Sequence, residues 1–130
     1  MTEIFSPEIL IPAVAQGALG LEARLADTAL EALLCPLDDM ETRLAVVAER
    51  AFAACLGGGC HLPVAAHARV SERTLIINGM LGAVDGRLVQ TTTSEALPPA
   101  RESVTAAVRL GTALAEDLLA SGGKELLLER

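Results

Sequence analysis

The spacing of apolar positions changes along the chain, and each change predicts a different element. From Leu44 to Cys55 apolar residues recur at three- and four-residue steps (Leu44, Val47, Ala48, Ala51, Phe52, Cys55), while Glu41, Arg43, Glu49 and Arg50 take the other face. That is the signature of an amphipathic helix, opened by Asp38 or Asp39 as N-cap and stopped by Gly57-Gly58-Gly59. From Leu62 to Thr93 the pattern turns extended, over Leu62 to Arg69, Thr74 to Leu81 and Arg87 to Thr93. The last two segments are joined through Gly82 and the turn-forming pair Asp85-Gly86, so three antiparallel strands are the simplest assembly. Pro98-Pro99 breaks the chain again. Beyond it Val104, Ala107, Val108, Gly111, Leu114 and Leu118 form a second helical stripe, ended by Gly122-Gly123, with a last helical turn or two over Lys124 to Arg130.

The segment before Leu37 fits this scheme poorly. Ile9 to Arg24 reads as an apolar strand entered through an irregular loop, with Pro12 and Gln16-Gly17 interrupting it, and Asp27 caps a short helix bearing Leu30, Leu33 and Leu34 that ends at Pro36. A lone strand with no sequence neighbour to pair with leaves its backbone groups unsatisfied, so it reads as part of another sheet. The predicted fold class is therefore α+β: a three-stranded antiparallel sheet packed against helices over residues 37–130, preceded by a strand and helix over residues 1–36 that belong to a neighbouring domain.

Composition narrows the picture. Of 130 residues, 52% are hydrophobic but only Phe5 and Phe52 are aromatic, so the core must be built from Leu, Val, Ile and Ala. The formal net charge is −7, and the basic residues stand singly from Arg24 to Arg130, which argues against nucleic acid as a partner. A polycarboxylate ligand would likewise need several converging guanidinium groups that the chain does not visibly supply. No apolar run approaches bilayer length and the N-terminus lacks a signal-peptide pattern, so a soluble cytoplasmic protein is expected.

Three cysteines without a secretory signal predict reduced thiols rather than disulfides. Cys35 and Cys55 fall on helical faces and are expected to pack inward; Cys60 on its own would read as a small buried thiol. A zinc site from Cys55, Cys60, His61 and His67 has suitable ligand types but matches no standard spacing, so no metal site is expected and His67 reads as a strand residue near the surface. Arg50 reads as a salt-bridged helix residue.

Three stretches carry a resemblance. Ile11-Pro12-Ala13-Val14-Ala15-Gln16-Gly17-Ala18-Leu19-Gly20-Leu21-Glu22-Ala23-Arg24 is similar to the motif LPAVGQGALGIECR of the porphobilinogen deaminases. Ala48-Glu49-Arg50-Ala51-Phe52, followed by Leu56-Gly57-Gly58-Gly59-Cys60-His61-Leu62-Pro63-Val64, resembles that family's AERAF…LEGGCQVPIG, the cofactor-attachment segment. Leu110 to Leu119 resembles its C-terminal LGxxLAEELL helix. Ala15, Ala23, Gly57 and His61 depart from the usual Gly, Cys, Glu and Gln.

The resemblance implies a C-terminal part of a three-domain transferase that condenses four porphobilinogen molecules into hydroxymethylbilane with loss of ammonia, in porphyrin and heme biosynthesis. It implies a dipyrromethane cofactor held by a thioether to Cys60, a thiol able to capture an electrophilic azafulvene on a glycine-rich segment that admits a bulky pyrrole. By the same analogy Gly58 and Gly59 line the cofactor, Gln16 and Gly17 lie at a hinge beside the cofactor cleft, and Arg24 reaches it. The family's catalytic aspartate and substrate-gripping arginines lie in two upstream domains. These, together with porphobilinogen and pyrrole oligomers, are the expected partners, and residues 18–24 are expected to self-associate without them. The chain alone is expected to be inactive and to lack the cofactor. The alternative is a stand-alone non-catalytic module or pseudoenzyme remnant.

Overall fold

The computed structural model describes residues 2–57, 63–83 and 85–128. Its elements follow the chain as helix α1 (Thr28–Leu34), a 3-10 turn (Cys35–Leu37), α2 (Met40–Cys55), strands β1 (Val64–Ser71), β2 (Thr74–Gly82) and β3 (Leu88–Ala96), α3 (Ala100–Leu118) and α4 (Lys124–Leu128). The strands form one antiparallel sheet in the order β1-β2-β3. This is the expected α+β class.

Register decides which side of the sheet is covered. Ala66 pairs with Gly79, Ala68 with Ile77 and Val70 with Leu75, and on the other side of β2 Ile77 pairs with Thr93 and Leu81 with Val89. The β2 positions Leu75, Ile77, Gly79 and Leu81 are all buried while their neighbours are half-exposed, so one face carries the helices. Leu44, Ala48, Phe52 and Leu56 from α2 and Ala107, Leu110, Leu114 and Leu118 from α3 complete this core. Phe52 is fully buried; withdrawing a side chain of that size from water contributes about 1.5–3 kcal/mol.

Two glycines set how closely the layers approach. A Cβ on Gly111 would lie 2.1 Å from the Ala48 carbonyl oxygen, so its absence lets α3 cross α2 backbone to backbone. A Cβ on Gly79 would lie 2.7 Å from the Phe52 ring, which occupies that space instead. Asp39 caps α2 by accepting from the Thr42 N–H at 2.8 Å, and Asp27 caps α1 through the Leu30 N–H at 3.2 Å. Gly122, at φ 110, breaks α3 from α4.

The N-terminal segment differs from expectation. Residues 18–24 form no strand. A strand needs a partner edge, and the outer edge of β1 is already engaged: the Ala66 N–H donates to the Pro12 carbonyl at 3.2 Å and the Ala68 N–H to the Glu49 carboxylate at 2.7 Å. The short helix is present as α1 but buries none of its residues. Leu19 and Leu25 are 95% and 98% exposed.

Four side chains also depart from the expected pattern. Cys35 and Cys55 are exposed rather than packed: Cys35 lies in the 3-10 turn, none of whose residues is buried, and the buried stripe of α2 runs through Phe52 to Leu56 and passes Cys55 by. Glu49 is 5% exposed and sits in that stripe, one residue on from Ala48. Arg50 is exposed and makes no ion pair among the described residues.

Candidate functional site

Two chain segments adjoin β1. The first enters from the end of α2, where the Leu56 N–H donates to Phe52 O at 3.3 Å and the Gly57 N–H to Ala54 O at 3.1 Å, with Gly57 at φ 97. That left-handed backbone is what a glycine allows at a helix end, and it turns the chain out of α2. The segment returns at Pro63, whose carbonyl accepts from the Gly82 N–H at 2.9 Å and leads into β1. Cys60, Gly58, Gly59 and His61 lie between these anchors and outside the described residues.

The second segment is the turn bearing Gln16 and Gly17. The Gln16 N–H donates to Ala13 O at 3.0 Å and the Ala18 N–H to Ala15 O at 3.2 Å. Gly17 has φ 84 and Ala15 φ 60, so an alanine stands in the left-handed region where glycine is favoured. Val14 packs against the core, and the Ala15 N–H donates to Glu49 Oε2 at 2.6 Å. The structure thus seats the Gln16-Gly17 turn on the strand that follows the Cys60 segment. It does not bring Arg24 there: that side chain is 92% exposed and faces Asp27 at 3.6 Å.

Glu49 is the residue that sequence reasoning missed. Its Oε2 and Oε1 each accept a backbone N–H, from Ala15 and from Ala68, and among the described residues no buried side-chain nitrogen or oxygen lacks a partner. The signal was available: position 49 adjoins Ala48 on the buried side of the helix, and a stripe wide enough to face a core spans such neighbours.

Several arginines pair with carboxylates close by. Arg43 pairs with Asp38 at 2.6 Å, Arg101 with Glu102 at 3.3 Å, and Arg109 with Glu95. The Arg87 backbone N–H and guanidinium beside Asp85 hold its carboxyl below the ordinary range. The Glu8 carboxyl is likewise lowered, chiefly by a hydrogen bond from Ser6, with Arg69 and His67 adding to it; His67 is half-buried in β1. These pairs leave no converging set of guanidinium forks among them for a polycarboxylate. Among the described residues no group of three or more His, Cys, Asp or Glu could hold a metal ion, and no helix is long and apolar enough to cross a membrane.

Comparison with known proteins shows the family. The family model described as "Porphobilinogen deaminase, C-terminal domain" matches residues 43–120. The chain is 46% identical over 127 residues to the porphobilinogen deaminase of Roseiflexus sp. (strain RS-1), covering 98% of this chain and 40% of that protein. It is 47% identical over 127 residues to that of Roseiflexus castenholzii, with the same coverage, and 43% identical over 125 residues to that of Coxiella burnetii (strain Dugway 5J108-111), covering 96% of this chain and 39% of the relative. The chain spans about 40% of the length of the curated relatives it matches.

Proposed function

The chain belongs to the porphobilinogen deaminase family, as its C-terminal part, and from that premise we propose that it carries the covalent attachment point for the growing pyrrole chain in an enzyme that converts four porphobilinogen molecules to hydroxymethylbilane. The observation that carries this reading is the match of residues 43–120 to the C-terminal domain of the family, on a chain that covers 98% of itself but 40% of the relative. Residues 37–130 form the attachment domain in this proposal, and residues 1–36 complete an upstream one. The unburied helix α1 and the exposed Leu19 and Leu25 support that division.

A thioether needs one thiol as its donor, and Cys60 supplies it on a segment whose ends are pinned by Gly57 and Pro63, so the donor chemistry fits a dipyrromethane. When bound, that group supplies the pyrrole terminus to which substrate is added. The chain's own part is to hold the segment: α2 and β1 fix its ends, and Gly58 and Gly59 add no Cβ beside the thiol. By the family resemblance Gln16 and Gly17 act as a hinge in this proposal, and a cytoplasmic location belongs to it. Binding the carboxylates of the substrate and managing ammonia loss require cations and an acid, which fall to the upstream domains.

Porphobilinogen consumption and hydroxymethylbilane formation, measured for the chain alone, for the chain joined to two upstream deaminase domains, and for the joined Cys60→Ser variant, test the proposal. Turnover is expected only in the second. The chain made alone is expected to show the mass of unmodified Cys60. Turnover by the isolated chain, or a folded joined protein that stays inactive, would overturn it.

A further inference from the structure

Glu49 places a carboxylate where burial is costly unless every oxygen is hydrogen-bonded. Its two acceptors are divided between two segments far apart in sequence: Oε2 takes the Ala15 N–H at 2.6 Å and Oε1 the Ala68 N–H at 2.7 Å. Ala68 lies on β1, and its N–H points away from β2, on the edge where Ala66 donates to Pro12. The carboxylate therefore occupies the place that the carbonyl of a next strand would take. Ala15 opens the turn bearing Gln16 and Gly17 and is held at φ 60, a conformation that persists for a non-glycine residue when its surroundings over-determine it. The charge-assisted bond to Glu49 is such a determinant.

We propose that Glu49 is a positioning residue: its carboxylate clamps the Gln16-Gly17 turn to the edge of β1, and so fixes the chain upstream of that turn relative to the Cys60 segment from which β1 emerges. The clamp is a property of this chain; its consequence for turnover rests on the deaminase reading above. Replacement by Gln keeps the shape but leaves one acceptor oxygen, with an NH2 group facing the second donor. Ala68 is buried and Ala15 only partly so, and Ala15 is the donor that loses its partner.

The test has two arms. In the 130-residue chain, Glu49→Gln is expected to speed amide exchange at Ala15 at least about tenfold while the amides of Ala48 and Leu114 keep their protection. In the chain joined to its upstream domains, the same variant is expected to lower kcat about tenfold with KM held within about twofold. Unchanged exchange at Ala15 in a folded variant, or protection lost across α2 and α3 together, would overturn the clamp. Unchanged kcat would overturn its positioning role. Joined Cys60→Ser separates the two ideas: turnover retained there sinks the deaminase reading and leaves the exchange result at Ala15 standing.

Discussion

Gly111 and Ala15 show how single residues set this structure. At Gly111 the missing Cβ is a packing requirement, since the atom it would meet at 2.1 Å is the Ala48 carbonyl oxygen, which belongs to backbone and cannot rotate aside. Gly111→Ala is expected to force α3 away from α2 and to cost about 2–3 kcal/mol by denaturant unfolding. An unchanged midpoint would mean that the helices are not so close. Ala15 poses the reverse case. Its left-handed backbone costs an L-residue about 1–2 kcal/mol; a glycine relieves that cost but loses about 0.4–1 kcal/mol through the greater entropy of its unfolded chain. Ala15→Gly is therefore expected to stabilise the chain by a few tenths to about 1 kcal/mol in the same measurement. Glycine is also the residue that the resembling motif carries at this place.

At the scale of elements, each helix is held by different means. α3 and α2 are fixed by burial, and α2 also by its cap. The Thr42 hydroxyl and backbone N–H, both donating to the Asp39 carboxylate, hold that carboxyl below its ordinary 3.8. A carboxyl lowered on folding contributes stability that is present above the unfolded value and is lost as pH falls through the folded one. Asp39→Ala is thus expected to lower the thermal midpoint at neutral pH, and the gap to the parent chain is expected to close as pH is taken below 3.8. A gap that stays constant with pH would assign the loss to something other than the charged cap. α1, by contrast, is held by Asp27 without any buried residue, so its stability is local.

For the whole molecule, the clearest asymmetry is between a closed core and an uncovered N-terminal arm. Leu19, Leu21 and Leu25 are 95%, 62% and 98% exposed, an apolar run that water does not favour. The isolated chain is expected to self-associate through residues 18–24, seen as a concentration-dependent mass in light scattering. Leu19→Lys combined with Leu21→Lys is expected to return it to a monomer with an unchanged thermal midpoint. A monomeric parent chain in which those amides exchange slowly would contradict this.

Much of this architecture was legible in the amino-acid sequence. Periods of 3.6 and 2 are local properties, so the helix from Asp39, the three strands, the Asp85-Gly86 turn and the helix after Pro99 could be read from spacing and breakers alone. The ordered motifs around Gln16-Gly17 and Cys60 pointed to the family for the same reason: they are contiguous. Tertiary structure decided what depends on residues distant along the chain. Whether residues 18–24 become a strand depends on a free edge, and Pro12 and Glu49 take the edge of β1. Whether Glu49 is charge on a surface or a buried clamp depends on Ala15 and Ala68, and whether Cys55 packs depends on which flank of α2 meets the sheet. Periodicity identifies a helix face, but only the partner across the interface determines how wide the buried part of that face is.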